Sequence, residues 1–161
     1  MQENHPLKSY NTFGIEAHAR YFVAIDAIDQ LQQLNKLPAF ASNRLILGGG
    51  SNILLTKDYE GIVVHNNLKG VELIKEDDTS VYVKVAAGEV WHDFVIHAID
   101  KAWAGVGNLS LIPGRVGASP MQNIGAYGVE VKDVFHELEA WDIEKEQVVT
   151  FDRNECQFGY R

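Results

Sequence analysis

The sequence contains one cysteine, Cys156, so it can form no internal disulfide and no cysteine-based metal cluster. That thiol reads as a small side chain packed inside, and no chemistry is assigned to it. Apolar runs are short, none approaching the about 18 residues that suggest a membrane helix. The amino end, Met1-Gln2-Glu3-Asn4-His5-Pro6, lacks the basic stretch and apolar core of a secretory leader. These absences predict a cytoplasmic protein with no membrane partner. Dense basic runs are missing too: 14 Lys and Arg stand against 22 Asp and Glu, for a formal net charge of −8. Nucleic acid, whose binding needs many phosphates neutralised together, is not an expected partner.

What is present suits a folded domain. The 161 residues are 46% apolar and 22% charged, near globular averages, and lie within the roughly 100–200 residues of one domain. The pattern predicts strands over 19–25, 44–47, 62–65, 71–75 and 81–87, a short helix over 26–34 carrying Asp26 and Asp29 in its first turn, and an amphipathic helix over 89–103 stopped by Gly105. A hairpin is expected from 135–143 and 147–151, turning at Glu144-Lys145-Glu146, with Asp152 capping a last turn. The fold class is α+β, with a change of character near 66–70 that divides it into lobes at 1–66 and 67–161.

An acidic protein can still hold a phosphorylated ligand where backbone N–H groups converge. Two glycine-rich stretches suit that task. In Leu45-Ile46-Leu47-Gly48-Gly49-Gly50-Ser51-Asn52, an apolar strand empties into three glycines followed by two side-chain donors. Charge-assisted bonds of about 1.5–3 kcal/mol each can hold a diphosphate there without lysine. No Lys-Ser or Lys-Thr follows the glycines, and Ile53 stands at the third glycine of GxGxxG, so the Walker A and dinucleotide fingerprints both fail. A turn needing glycine for backbone reasons alone is the bland alternative.

The second stretch runs from Leu111 to Gly128, with Ile112-Pro113-Gly114-Arg115-Val116-Gly117-Ala118 leading into Ser119-Pro120 and then Gln122-Asn123-Ile124-Gly125. Ser119 and Pro120 read as N-cap and first residue of a short helix whose positive end faces Gly114 and Gly117. Ile112, Ala118 and Ile124 offer packing for an aromatic ring system, and Gln122 and Asn123 offer hydrogen bonds to its edge, a description that a flavin fits. An ordered loop packed only on itself is the alternative.

These stretches resemble the UDP-N-acetylenolpyruvoylglucosamine reductases, which belong to the FAD-linked oxidoreductases with a two-lobed α+β flavin domain. Four blocks carry the resemblance in order: Asn11-Thr12-Phe13-Gly14-Ile15, Leu47 to Asn52, Asn108 to Gly128, and Glu155-Cys156-Gln157-Phe158-Gly159-Tyr160-Arg161. Gly107 stands where an acidic residue is common, and Arg115 where a small one is. The resemblance implies FAD as cofactor and NADPH as reductant, with UDP-N-acetylglucosamine enolpyruvate reduced to UDP-N-acetylmuramate for peptidoglycan. It implies that Gly48, Gly49, Gly50, Ser51 and Asn52 hold the FAD diphosphate. Ile112, Pro113, Gly114, Gly117, Ala118, Ser119, Gln122 and Gly125 would line the isoalloxazine and ribityl chain. Tyr127 and Tyr160 would line the substrate site, and Arg161 would be the catalytic cation beside the substrate carboxylate. The family's proton-donating serine, its assisting glutamate and its substrate domain would fall beyond residue 161, so the resemblance predicts an inactive flavin-binding fragment.

No metal site is expected. His92 and His97, five residues apart, fall on different helix faces. Glu89 and Asp93 can share a face, where solvated carboxylates are the ordinary outcome. Two further readings stay open: another FAD-linked oxidoreductase with a different substrate, and a nucleotide-binding module without catalysis.

Overall fold

A computed structural model describes residues 1–160. Its centre is a four-stranded sheet in the order β1 (Gln2–Pro6), β2 (His18–Ile25), β4 (Tyr59–Asn66), β3 (Arg44–Leu47). β1 runs antiparallel to β2, whereas β2, β4 and β3 are mutually parallel. The central strand β4 carries Gly61-Ile62-Val63-Val64, buried without a break, as expected of a parallel strand covered on both faces. Val63 joins Leu7, Ala19, Phe22 and Leu47 on one face. Ile62 and Val64 pack on the other with Ile25, Leu31, Leu34 and Phe40, contributed partly by α1 (Asp29–Asn35) and α2 (Pro38–Ser42). Ala19 pairs with Tyr59 but Tyr21 with Ile62, so β4 holds a bulge at Glu60-Gly61. A Cβ on Gly61 would lie 2.3 Å from the Asn43 carbonyl oxygen, which explains the glycine.

The remaining elements surround a second core. β5 (Val71–Glu76) and β6 (Val81–Val85) form a hairpin, as do β7 (Gly125–Ala126) with β8 (Val129–Glu130) and β9 (Glu137–Asp142) with β10 (Gln147–Asp152). Between them stand α3 (Trp91–Asp100) and the single turn α4 (Val131–Val134). Trp91, Val95 and Ala98, spaced along one helical face, pack on Val106, Leu109, Ile124 and Val131 beneath the second glycine-rich stretch. The first helix starts at Asp29 rather than Asp26, whose N–H is taken by the Gln30 side chain and whose carboxylate accepts from Asn67. The strand β1 and helix α2 escape the periodicity because each spans only 5 residues. No helix among the described residues is long and apolar enough to cross a membrane.

α3 is shorter than its pattern, and Ile96 and Ile99 face solvent. It does not wait for Gly105. Ala102 takes a left-handed φ of 58°, and Trp103 N–H returns to the Ala98 carbonyl while Ala102 N–H returns to that of Ile99. This is the two-bond helix stop that glycine usually supplies, completed by Trp103 against His97. Because Ala102 is exposed, Ala102→Gly should relieve the left-handed cost without losing packing. Urea unfolding is expected to show a gain of about 1 kcal/mol with an unchanged m-value.

Candidate functional site

β3 ends at Leu47, beside His65 of β4, and delivers the chain into Gly48-Gly49-Gly50 at the carboxyl edge of the parallel strands. Ligands of open parallel sheets sit at such edges. Only Gly50 of the three is left-handed, with φ of 63°, and a Cβ there would lie 2.0 Å from the Tyr10 carbonyl oxygen. Its need for glycine is therefore contact with the Asn11 block, which it also holds through Thr12 N–H donating to the Gly50 carbonyl at 3.2 Å. The buried Asn11 side chain closes that block by donating to Leu7 and Ile15 carbonyls and accepting from Ile15 N–H. The N–H groups of Gly49, Gly50 and Ser51 meet no protein acceptor among the described residues. They remain available to an anion.

The second glycine-rich stretch folds across this loop. Trp91 N–H donates to the Gly114 carbonyl at 3.0 Å, Val116 N–H to that of Glu89 at 2.9 Å, and the buried Trp91 indole N–H to that of Leu109 at 2.7 Å. Asn52 then donates its amide to the Gln122 side-chain oxygen at 3.0 Å, joining loops 70 residues apart in sequence. Between them opens a cleft of about 240 Å³. Ser51, Asn52, Ile112, Pro113, Gly114, Ala118, Ser119, Gln122 and Ile124, all expected from the sequence, line it together with Arg115 and Trp91. Trp91 had no signal beyond helix periodicity, since a tryptophan opening a helix reads as core.

Other expected residues are not on the cleft wall. Gly48 and Gly49 stand behind it, against the Arg115 stem and Gly114, and Gly117 presses on Ala87. Gly125 pairs with Glu130 in β7–β8. Ser119 is no N-cap: its backbone is helical, its hydroxyl donates to the Val116 carbonyl, and Pro120–Gln122 is a single 3-10 turn too short to present a helix end. Asn123 does not face a ligand. It is 4% exposed and left-handed, and its amide donates to the Gly159 carbonyl at 2.8 Å while accepting Lys132 N–H at 3.3 Å. Tyr127 and Tyr160, 89% and 91% exposed, make no wall of the cleft, and Arg161 lies outside the described residues.

The acid–base candidates resolve differently. Glu89 precedes α3 and shares no helix face with Asp93; it accepts from Gly70 N–H and Lys69, which hold its carboxyl below the usual range. His92 accepts from Leu111 N–H, and burial raises the Cys156 thiol. A larger groove of about 320 Å³ is lined by Glu3, Asp58 and Glu60 against the single arginine Arg20, an acidic balance that disfavours an anion, so the smaller cleft is the better candidate.

Residues 19–152 match the family described as FAD binding domain. The chain belongs to that family. This FAD-binding domain is 52% identical to the UDP-N-acetylenolpyruvoylglucosamine reductase of Flavobacterium johnsoniae over all of its length and 48% of that protein. It is 51% identical to the reductase of the same name from Neisseria gonorrhoeae, over 96% of this chain and 45% of that one. The chain thus spans about half the length of the curated relatives it matches. Its fold is that of UDP-N-acetylenolpyruvylglucosamine reductase from Thermus caldophilus, with a TM-score of 0.76 and 22% identity across 97% of this chain and 54% of that one. The cleft suits FAD chemically, with open N–H groups toward a diphosphate and apolar side chains with one amide toward a ring.

Two substitutions separate the glycines. Gly50→Ala should destabilise by about 2 kcal/mol or more, because its Cβ meets backbone at a left-handed position. Gly48→Ala, 3.3 Å from a flexible arginine carbon, should stay near the parent in thermal melts.

His65, beneath this loop, is pushed down from its usual pKa by burial and then by the Arg115 charge. The unfolded chain therefore binds that proton more readily, and stability falls as pH drops below the unfolded value of about 6.5. His65→Gln should flatten the drop in urea midpoint between about pH 7.5 and about pH 5.5.

Proposed function

We propose that this chain is the flavin-holding part of a UDP-N-acetylenolpyruvoylglucosamine reductase, converting UDP-N-acetylglucosamine enolpyruvate to UDP-N-acetylmuramate with NADPH as reductant. The observation that carries this reading is the Asn52–Gln122 junction, which closes an N–H-rich loop and an apolar glycine loop around one cleft. The identity to the Flavobacterium and Neisseria reductases supports the substrate, a nucleotide sugar.

In this reading Gly48 to Asn52 receive the FAD diphosphate. Ile112 to Gly114, Ala118, Ser119 and Gln122 pack along the ring and ribityl chain, with Gly117 and Gly125 setting the backbone path. Bound FAD supplies the hydride chemistry that side chains lack. Tyr127 and Tyr160 border the substrate. Arg161 stabilises the negative charge that develops beside the substrate carboxylate, using a planar cation that keeps its charge. Residues 1–66 and 67–161 form the two lobes of the flavin domain, working in the cytoplasm where NADPH and nucleotide sugars meet.

Titrating the folded chain with FAD should give saturable quenching of flavin fluorescence; an unchanged spectrum would overturn the flavin reading. Joined to the part of the Flavobacterium johnsoniae reductase that it does not match, the chain should consume NADPH when given the enolpyruvyl sugar. Arg161→Lys in that chimera should lower kcat by about a hundredfold or more while flavin content holds. Equal turnover would refute the role of Arg161.

A further inference from the structure

We propose that Arg115 is a second hold on the FAD diphosphate, a cation that clamps the anion against the Gly48–Asn52 loop; this rests on the flavin reading above. The loop has no lysine and the protein carries −8 formal charges, so a dianion entering the cleft needs a local positive charge. Of the side chains lining the cleft, Arg115 is the one that is charged. Its stem lies along the loop, with Cγ 3.3 Å from where a Gly48 Cβ would stand and 3.7 Å from the Gly49 equivalent. Gly114, its neighbour, backs Gly49 in the same way.

The guanidinium is held without a direct ion pair, and the one carboxylate that feels its charge, Glu89, is already bonded to Gly70 N–H and paired with Lys69. One N–H of Arg115 donates to the Gly88 carbonyl, leaving the rest of a five-donor fork. Lys69 reaches the same carbonyl at 2.7 Å but is paired with Glu89 at 3.3 Å. Arg115 forms no salt bridge among the described residues. Its field reaches His65 beneath the loop, where, after burial, it pushes the imidazole pKa below its usual value. An arginine in this position, beside N–H groups that meet no protein acceptor, matches a phosphate in both charge and geometry.

The test compares FAD with riboflavin, which keeps the ring and lacks the phosphates, on the wild-type chain, Arg115→Gln and Arg115→Lys. Arg115→Gln should weaken FAD binding by about tenfold to a hundredfold, the weight of one charge-assisted contact, and leave riboflavin affinity level. Arg115→Lys should recover most of the FAD affinity. Equal losses for both ligands would show a merely structural role and overturn the proposal, as would unchanged FAD affinity in Arg115→Gln. Salt gives a measurement that needs no variant: FAD binding to the wild-type chain should weaken between about 50 mM and about 500 mM salt, and a flat response overturns the clamp. A folded wild-type chain that binds no FAD sinks the flavin reading itself, whereas FAD binding indifferent to Arg115 sinks only this inference.

Discussion

The candidate site depends on how Trp91 is held. Its backbone N–H fastens Gly114 and its indole N–H fastens Leu109, so one residue at the start of α3 pins two points of the second glycine-rich stretch. Because the indole is buried, leaving either partner unpaired would expose the structure to the full desolvation cost of a polar group. The helix beneath is anchored in turn by Val95 and Ala98 in the second core. A loop of little regular structure thereby acquires the rigidity of a packed helix, which is what a cofactor wall requires.

The opposite wall gains its rigidity differently. Gly48 to Asn52 hang from the end of a strand whose neighbour β4 is buried on both faces, and Gly50 is wedged against Tyr10. One side of the cleft is thus fixed by a helix and the other by a sheet; the Asn52–Gln122 amide pair bonds them across the opening, and Gly114 and the Arg115 stem pack on Gly48 and Gly49 behind it. The first loop keeps the N–H groups of Gly49, Gly50 and Ser51 without a protein acceptor among the described residues, whereas the second spends most of its own on holding its fold.

Much of this was legible in the sequence. The parallel strands read as short apolar runs, β3 emptying into glycine, and nine expected cleft residues do meet. What the sequence obscured has local causes. Ser119-Pro120 carries a capping signature, yet the turn behind it offers the Val116 carbonyl to the hydroxyl first. Asn123 looks like a ligand contact because amides are; its left-handed backbone turns it inward. Ala102 ends α3 where glycine three residues later is the stronger signal, since the Trp103–His97 contact fixes the stop. Trp91 and Arg115 owe their places to pairings between Glu89, Val90 and Gly114 to Val116 that no spacing along the chain reveals.

The Asn123 amide ties together Gly159, the start of α4 and the floor of the cleft. Tyr160 follows directly, so the backbone reaches it from a joint that belongs to the second glycine-rich stretch. Any shift of that loop would carry the terminal segment along in register, as a jig carries the workpiece clamped to it. A joint of this kind moves as one piece, so Gly159, the start of α4 and the second glycine-rich stretch keep their alignment when the structure breathes.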